Sequence, residues 1–388
     1  MTRVDFATSV AAIGAAAWSA CLPDEIEGYA YHRAVEAAGL EGFELLWAVA
    51  RDGERVLGFA PAFVTSYRLD ATLQGPWKRI TQAVARIMPS LLRLRMTCLG
   101  SPAAETCAVG LAPQLDAAGR RQVLSLLLQA LRQLSRDRRA GLIAIKDLPE
   151  ISTELSEAAG RAGFQRLPGL PMASLELAYP SFEAYLASLS PATRKDMRRK
   201  LKAAGAIVVE RRTSVDDVLP RMVELYAGTR ARSDLQFETL PPAYFTGVLS
   251  GAGEGASCFL YWHGPELLAF NLVLHDERRL VDKFFCMNAE QGRRFNLYFL
   301  SWMTNVRFCL ERGIKLFVSG QAAYGPKLRL GSKLNPNWLF FRHRNRLIHA
   351  ALRLAAAFLR VDRHDPVLSA LAKDRDAVPG EWRRLQHQ

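Results

Sequence analysis

Two stretches of the chain alternate strand-like apolar runs with short polar turns. Residues 45–64 read LLWAVARDGERVLGFAPAFV, in which apolar runs flank Asp52-Gly53, a dipeptide that favours a tight hairpin. Residues 258–274, CFLYWHGPELLAFNLVL, repeat the arrangement around Gly264-Pro265. With Gly53 set on Gly264, the following positions agree in kind without a gap: Val56 with Leu267, Leu57 with Leu268, Gly58 with Ala269 and Phe59 with Phe270.

Each hairpin is followed, further along, by a helical period and then an apolar strand. RRQVLSLLLQALRQLSRDRRAG (120–141) leads into LIAIKDL, and RFNLYFLSWMTNVRFCLERG (294–313) leads into IKLFVSG. Apolar residues recur at three- and four-residue steps in both helices, and Gly141 and Gly313 stand where C-caps are expected. The shared order of elements predicts two copies of one α/β unit, that is, two tandem mixed-sheet domains with flanking helices. Between them a strand ends at Tyr179-Pro180, Ser181 caps a helix to about Ser188, and Ser190-Pro191 opens another. That second helix carries Arg194, Lys195, Arg198, Arg199, Lys200 and Lys202 against Asp196, with Met197 and Leu201 facing the protein. The expected division is 1–178, 179–345, and a basic amphipathic helix and tail over 346–388.

Composition sharpens this outline. A chain of 388 residues, 49% apolar, is globular and long enough for two cores. The formal charge of +13 points to anionic partners: phosphorylated molecules, nucleic acid or an anionic membrane surface. The six cysteines have neither CxxC nor metal-ligand spacing and read as reduced core thiols, Cys286 among them; no metal site is expected. No uncharged apolar run approaches the roughly 20 residues that a membrane span needs, and the alanine-rich stretch 8–23 is a poor leader, so a cytoplasmic location is expected. GxSxG, HExxH, GxGxxG after a strand, and the Walker loop do not occur, which removes the commonest hydrolase, zinc-protease, dinucleotide and P-loop signatures.

The helix FEAYLASLSPATRKDMRRKLKAAG, the hairpin, and the segment from NAEQGRRFN to SGQAAYGPKLRLGSKLNP together resemble the FemAB-like branch of the GNAT acyltransferase superfamily. The resemblance runs from about Trp18 to Phe341. It implies an α/β fold of two tandem GNAT-like domains and an N-acyltransferase activity. Acyl transfer to an amine needs a splayed strand pair for the acyl arm, backbone N–H groups for a pyrophosphate, and a donor for the oxyanion and leaving group. LVDKFFCM (280–287) then reads as the central strand and NAEQGRRFN as the turn after it. Gln291, Gly292, Arg293 and Arg294 occupy the place of the phosphate loop, which is commonly Q/R-x-x-G-x-G/A; only one glycine is present, and arginines replace part of the cradle or no CoA binds.

The resemblance puts Gln321 and Tyr324 beside the thioester as hydrogen-bond donors, and Lys327 and Arg329 on phosphate or carboxylate. Asp282, predicted to face the opposite side of its strand from Lys283, orients or deprotonates the amine unless it serves a structural ion pair; His275 is a second candidate base. The working site is expected in the second half, because the first half's counterpart, LIAIKDLPE, is plainer. No tightly bound cofactor is expected, with acyl-CoA or acyl carrier protein as donor.

Basic amphipathic stretches at 76–96 and 342–373 favour a lipid or long-chain amine acceptor, such as a sphingoid base giving a ceramide-type amide, at the inner membrane face. The alternative that the resemblance implies is aminoacyl-tRNA-dependent transfer to a cell-wall precursor, with the basic helix on tRNA. A third reading is a non-catalytic tandem fold that binds membrane or nucleic acid.

Overall fold

A computed structural model of the chain describes residues 2–68, 93–233, 237–356 and 367–369. The amphipathic stretch at 76–96 lies largely outside the described residues, as does most of the tail beyond Ala356.

The described residues build two seven-strand ladders of the same design. The first runs β1 (Arg3–Ala7), β2 (Phe43–Asp52), β3 (Arg55–Arg68), β4 (Arg93–Leu99), β6 (Leu142–Pro149), β15 (Asn337–His343) and β7 (Gln165–Pro168), with the two-residue β5 (Gly110–Leu111) attached to β3. The second runs β9 (Val208–Arg212), β10 (Ala256–His263), β11 (Glu266–His275), β12 (Arg279–Met287), β13 (Leu316–Gly320), β8 (Met172–Glu176) and β14 (Lys333–Asn335). In each ladder four antiparallel strands are followed by one parallel pair, β4 with β6 and β12 with β13.

The duplication read from the sequence is therefore real in space. Both hairpin tips fall where expected, and Gly53 and Gly264 adopt φ of 57° and 56°, a region that glycine enters without strain.

Chain order and spatial halves part company at the sixth strand. Here β8 belongs by sequence to the first half yet pairs with β13, while β15 belongs to the second yet pairs with β6 and β7. A division at 178/179 thus leaves one strand of each half in the other's sheet. Periodicity marks a strand but carries no information about which edge it joins.

Twelve α-helices are described: α1 (Ala15–Cys21), α2 (Tyr29–Ala38), α3 (Ala117–Asp137), α4 (Thr153–Arg161), α5 (Phe182–Ser188), α6 (Pro191–Ala203), α7 (Leu219–Ala231), α8 (Pro242–Ala252), α9 (Ala289–Arg294), α10 (Leu297–Arg312), α11 (Tyr324–Arg329) and α12 (Arg346–Ala356). Helix α3 lays Val123, Leu127 and Leu131 on Ile143 and Ile145 of the first sheet. Helix α10 does the same for the second, with Trp302, Met303 and Val306 against Phe317. The opposite face of the second sheet is covered by α2, α7 and α8, so the first half's α2 packs on the second half's strands.

Gly313 caps α10 at φ 70° as expected, but α3 stops at Asp137. Its left-handed turn is made by Arg139 at φ 52°, so Gly141 lies beyond the cap. All six cysteines are free thiols and five are buried.

Ser181 and Ser190 cap α5 and α6 through their hydroxyls, and Pro191 opens α6, as the sequence predicts. Replacing Ser190 by Ala removes the acceptor for Thr193 N–H and should cost about 1 kcal/mol in a urea titration, without changing the fold. On α6, Lys195, Arg198, Arg199 and Lys202 are exposed. Lys200 instead turns inward, its ammonium 3.4 Å from the centre of the Phe299 ring and paired with Asp196.

Candidate active site between the two halves

Strands β12 and β13 pair in parallel only from Arg279 to Val281 against Leu316 to Val318. Beyond that point they splay, and a cavity of roughly 760 Å³ opens at their ends. Its wall combines Asp282, Phe284, Tyr298, Gln321 and Lys327 from the second half with Glu105, Lys146 and Asp147 from the first.

The side chains at the splay are set by a bulge. The register of β11 on β12 slips so that Val273 faces Asp282 and Leu272 faces Phe284, leaving Lys283 as the extra residue. Asp282 points towards α10: its Oδ1 accepts from Asn271 Nδ2 at 2.6 Å and its Oδ2 from Asn305 Nδ2 at 3.4 Å. Lys283 points the other way, into the packing of α2. Its ammonium donates to Glu27, to Ala103 O at 3.1 Å and to Glu105 at 3.1 Å. The two residues do face opposite sides of the strand, and Lys283, not Asp282, makes the structural ion pair.

Burial raises the Asp282 carboxyl to about 6, against the lowering effect of the Asn271 hydrogen bond and the Lys327 charge; Glu105 adds to the rise. A carboxyl poised there is ionised at neutral pH and still basic enough to take a proton.

Lys327 reaches the same space by a short detour. Ala322 and Ala323 adopt φ of 62° and 49°, which turns the chain after β13 back on itself into α11. The buried ammonium then donates to Ser319 O at 2.6 Å and to Gly320 O and Gln321 O at 3.1 Å, closing the carbonyl end of β13. Burial lowers it to about 8, opposed by the charges of Asp282 and Glu105. The glycine-bearing cationic loop is thus neither a bare turn nor an open anion cradle: Lys327 is spent on carbonyls, and Arg329 pairs with Asp196 on α6.

Gln321 lines the cavity and donates to Asp147 Oδ1 at 3.1 Å. Tyr324 is buried, donates to Pro171 O at 3.0 Å and does not line the cavity. His275 is not brought to the site either. It sits at the far end of β11, 3.0 Å from Ser257 Oγ and against Phe308, with burial and the nearby Arg312 and Arg211 lowering it to about 4. Cys286 touches the cavity as a core thiol that burial pushes up to about 12, unlike a nucleophile.

Gln291, Gly292, Arg293 and Arg294 form α9 rather than an open loop, and none of the four lines the cavity. Asn288 Oδ1 already accepts from the backbone N–H of Glu290 and Gln291, and Gly292 packs on Met287.

Sequence reasoning missed the first half's share of this site. Lys146 donates to Ser101 O at 3.0 Å and Ala104 O at 3.3 Å and pairs with Asp147, which also accepts from Gln321 and Asn337. The signal was available: the Lys-Asp pair ends an otherwise apolar strand, in the position of Ser319-Gly320 in the second copy.

Residues 191–327 match the family described as an acetyltransferase (GNAT) domain. Among solved structures the chain is similar to FemX, at 14% identity over 80% of this chain and 91% of that one, with a TM-score of 0.51. It is also similar to a tandem GNAT protein from the clavulanic acid biosynthesis pathway, at 12% identity over 88% and 99%, with a TM-score of 0.50. The chain has a tandem, FemAB-like GNAT fold. At these identities the likeness to solved structures is one of fold, and no curated protein matches the sequence. The splay of β12 from β13 lies within the residues that match this domain. The exchanged strands β8 and β15 lock the two copies around it.

Proposed function

We propose that the chain is an N-acyltransferase that moves an aminoacyl group from tRNA to a primary amine, the acceptor being a cell-wall precursor as the FemAB-like resemblance implies. The observation that carries acyl transfer is Asp282, a carboxyl held near neutrality at the splayed end of β12 inside a cavity walled by both halves. An acceptor amine arrives as an ammonium ion. Asp282 takes one proton, the free nitrogen attacks the ester carbon, the C–N bond forms and the C–O bond breaks. The second proton that the nitrogen sheds on becoming an amide goes to the leaving oxygen, and Asp282 returns its own to solvent. Lys327 keeps a positive charge beside this step without leaving its three carbonyls.

A tRNA-borne donor is supported over CoA by α9. Where a CoA-binding relative opens a phosphate loop, this chain closes a short helix on its own Asn288 cap. The exposed cations of α6 supply a surface for phosphates. Replacing Lys195, Arg198 and Lys202 together by Ala should weaken tRNA binding and make the slope of log K against log salt shallower by about 2 to 3, read by fluorescence anisotropy over a salt series.

A second reading keeps acyl-CoA or acyl carrier protein as donor and a long-chain lipid amine, such as a sphingoid base, as acceptor at a membrane surface. One observation favours it: α12 exposes Leu347, Ile348 and Leu354 on one face beside Arg346 and Arg353. The purified protein, given aminoacyl-tRNA with an amine acceptor in one arm and acyl-CoA with a sphingoid base in the other, separates the two by mass spectrometry of the amide. Product in the acyl-CoA arm alone overturns the tRNA reading.

A further inference from the structure

Among the described residues, the Tyr298 hydroxyl is buried and has no hydrogen-bond partner, yet its side chain lines the cavity that holds Asp282. Such an orphaned donor destabilises the fold, because its lost hydration is not replaced. The protein had inexpensive ways to avoid it, since phenylalanine fills the same space. Phe285 and Phe299 already pack their rings edge-on against this one.

The three lysines on the cavity wall are engaged, as are Gln321, Ser301 and Ser319. Lys327 gives its protons to three carbonyls, Lys146 to Ser101 O, Ala104 O and Asp147, and Lys283 to Ala103 O and two glutamates. Gln321 donates to Asp147, Ser301 to Asn271 and Ser319 to Ala173 O. None of the lysines has a proton left for a new oxyanion without breaking what it holds.

Position gives the orphan its meaning. Tyr298 stands on the first turn of α10, and Ser301 lies one turn on along the same cavity-lining face. Ser301 donates to Asn271 at 3.2 Å, which in turn donates to Asp282. The phenol and the carboxyl therefore belong to one wall at the splay, one able only to accept at neutral pH and the other free to donate.

We propose that Tyr298 is the oxyanion donor of this site: its O–H hydrogen-bonds the acyl carbonyl oxygen as negative charge develops there, while Asp282 removes the proton from the attacking amine. No proton leaves the phenol in this step. The phenol stays neutral because burial and the Asp282 charge both disfavour the phenolate. The inference rests on the acyl-transfer reading and assigns a residue that neither the loop after β13 nor the phosphate-loop position supplies.

The test is Tyr298→Phe, assayed in the full-length chain by mass spectrometry of the amide from the active arm above, alongside thermal unfolding. The expected result is a fall in kcat of about 10²- to 10³-fold, as for loss of one oxyanion donor, with KM changed less than threefold. The melting temperature should be unchanged or higher, because the variant removes an unsatisfied hydroxyl. A variant within threefold of the parent's kcat overturns the inference, and so does a matching loss of stability, which would mean that the hydroxyl holds the fold. If the parent chain gives no amide with any donor, the acyl-transfer reading fails first. Tyr298→Phe that melts below the parent would then still count against an orphaned, ligand-directed hydroxyl.

Discussion

Asp282→Asn should lower kcat for amide formation by about 10²- to 10⁴-fold, the span expected for losing a positioned general base, while leaving the fold intact. Asparagine has the same shape and keeps an oxygen to accept from Asn271. The pH profile makes the assignment specific. In the parent chain the rate should rise as pH passes through about 6, where Asp282 loses its proton. It should fall again above about 8, where the buried Lys327 loses its charge. The two groups sense each other, so both limbs belong to the pair.

The asparagine variant should lose the acid limb. Stability should move the other way. The folded carboxyl holds its proton more tightly than an ordinary aspartate, so its contribution to stability is full below pH 4 and is lost as pH rises through 6. At pH 8 the variant should therefore be at least as stable as the parent. A variant that keeps the acid limb near 6 assigns the base elsewhere.

Lys283→Met should be the most destabilising single change in the site, by about 3–5 kcal/mol, because it strands buried carboxylates that the lysine now neutralises. Glu27 is 2% exposed and Lys283 is 6% exposed, and Glu105 shares the same ammonium. Glu27 comes from the loop before α2 and Lys283 from β12, so the pair joins the first half's helix to the second half's sheet. Burial raises the Glu27 carboxyl to about 7, partly offset by Lys283 and increased by Glu105.

A carboxyl raised in the folded state stabilises below its unfolded value near 4.5 and loses that contribution as pH rises through 7. The damage in Lys283→Met should accordingly be smaller at pH 5 than at pH 8, measured by urea unfolding. Adding Glu27→Gln to Lys283→Met should recover most of the loss, and an additive double variant would show that the two residues do not act as a pair.

Much of the scaffold was legible in the sequence because it is written in local rules. Asp52-Gly53 and Gly264-Pro265 specify turns through the conformations that glycine permits, and both hairpins are where the alternation put them. Ser181 and Ser190 cap the helices that follow them, and Gly313 ends α10. Asp282 and Lys283 face opposite sides because a strand alternates, and Asp282 was visible as a charge inside an apolar strand.

The phosphate-loop reading of Gln291 to Arg294 shows the limit of a motif. Spacing located the turn, but an asparagine at its start converted it into a capped helix. Tyr324 and Arg329 were credited with chemistry from their place in the loop. Their partners, Pro171 O and Asp196, lie 153 and 133 residues away in sequence, and nothing local announces them.

By itself, then, the sequence determined the repeated unit, the turns, the caps and the amphipathic faces, since each depends on backbone preferences and apolar spacing within a few residues. The tertiary structure alone decided which strand joins which sheet and which polar groups share the cavity. The exchange of β8 and β15 and the meeting of Lys146, Asp147 and Glu105 with Asp282 and Lys327 depend on contacts between distant segments. Only that assembly fixes solvent exposure and hydrogen-bond partners. Those two quantities turn Lys327 into a brace for a strand end and Asp282 into a near-neutral base, and they leave the Tyr298 hydroxyl free.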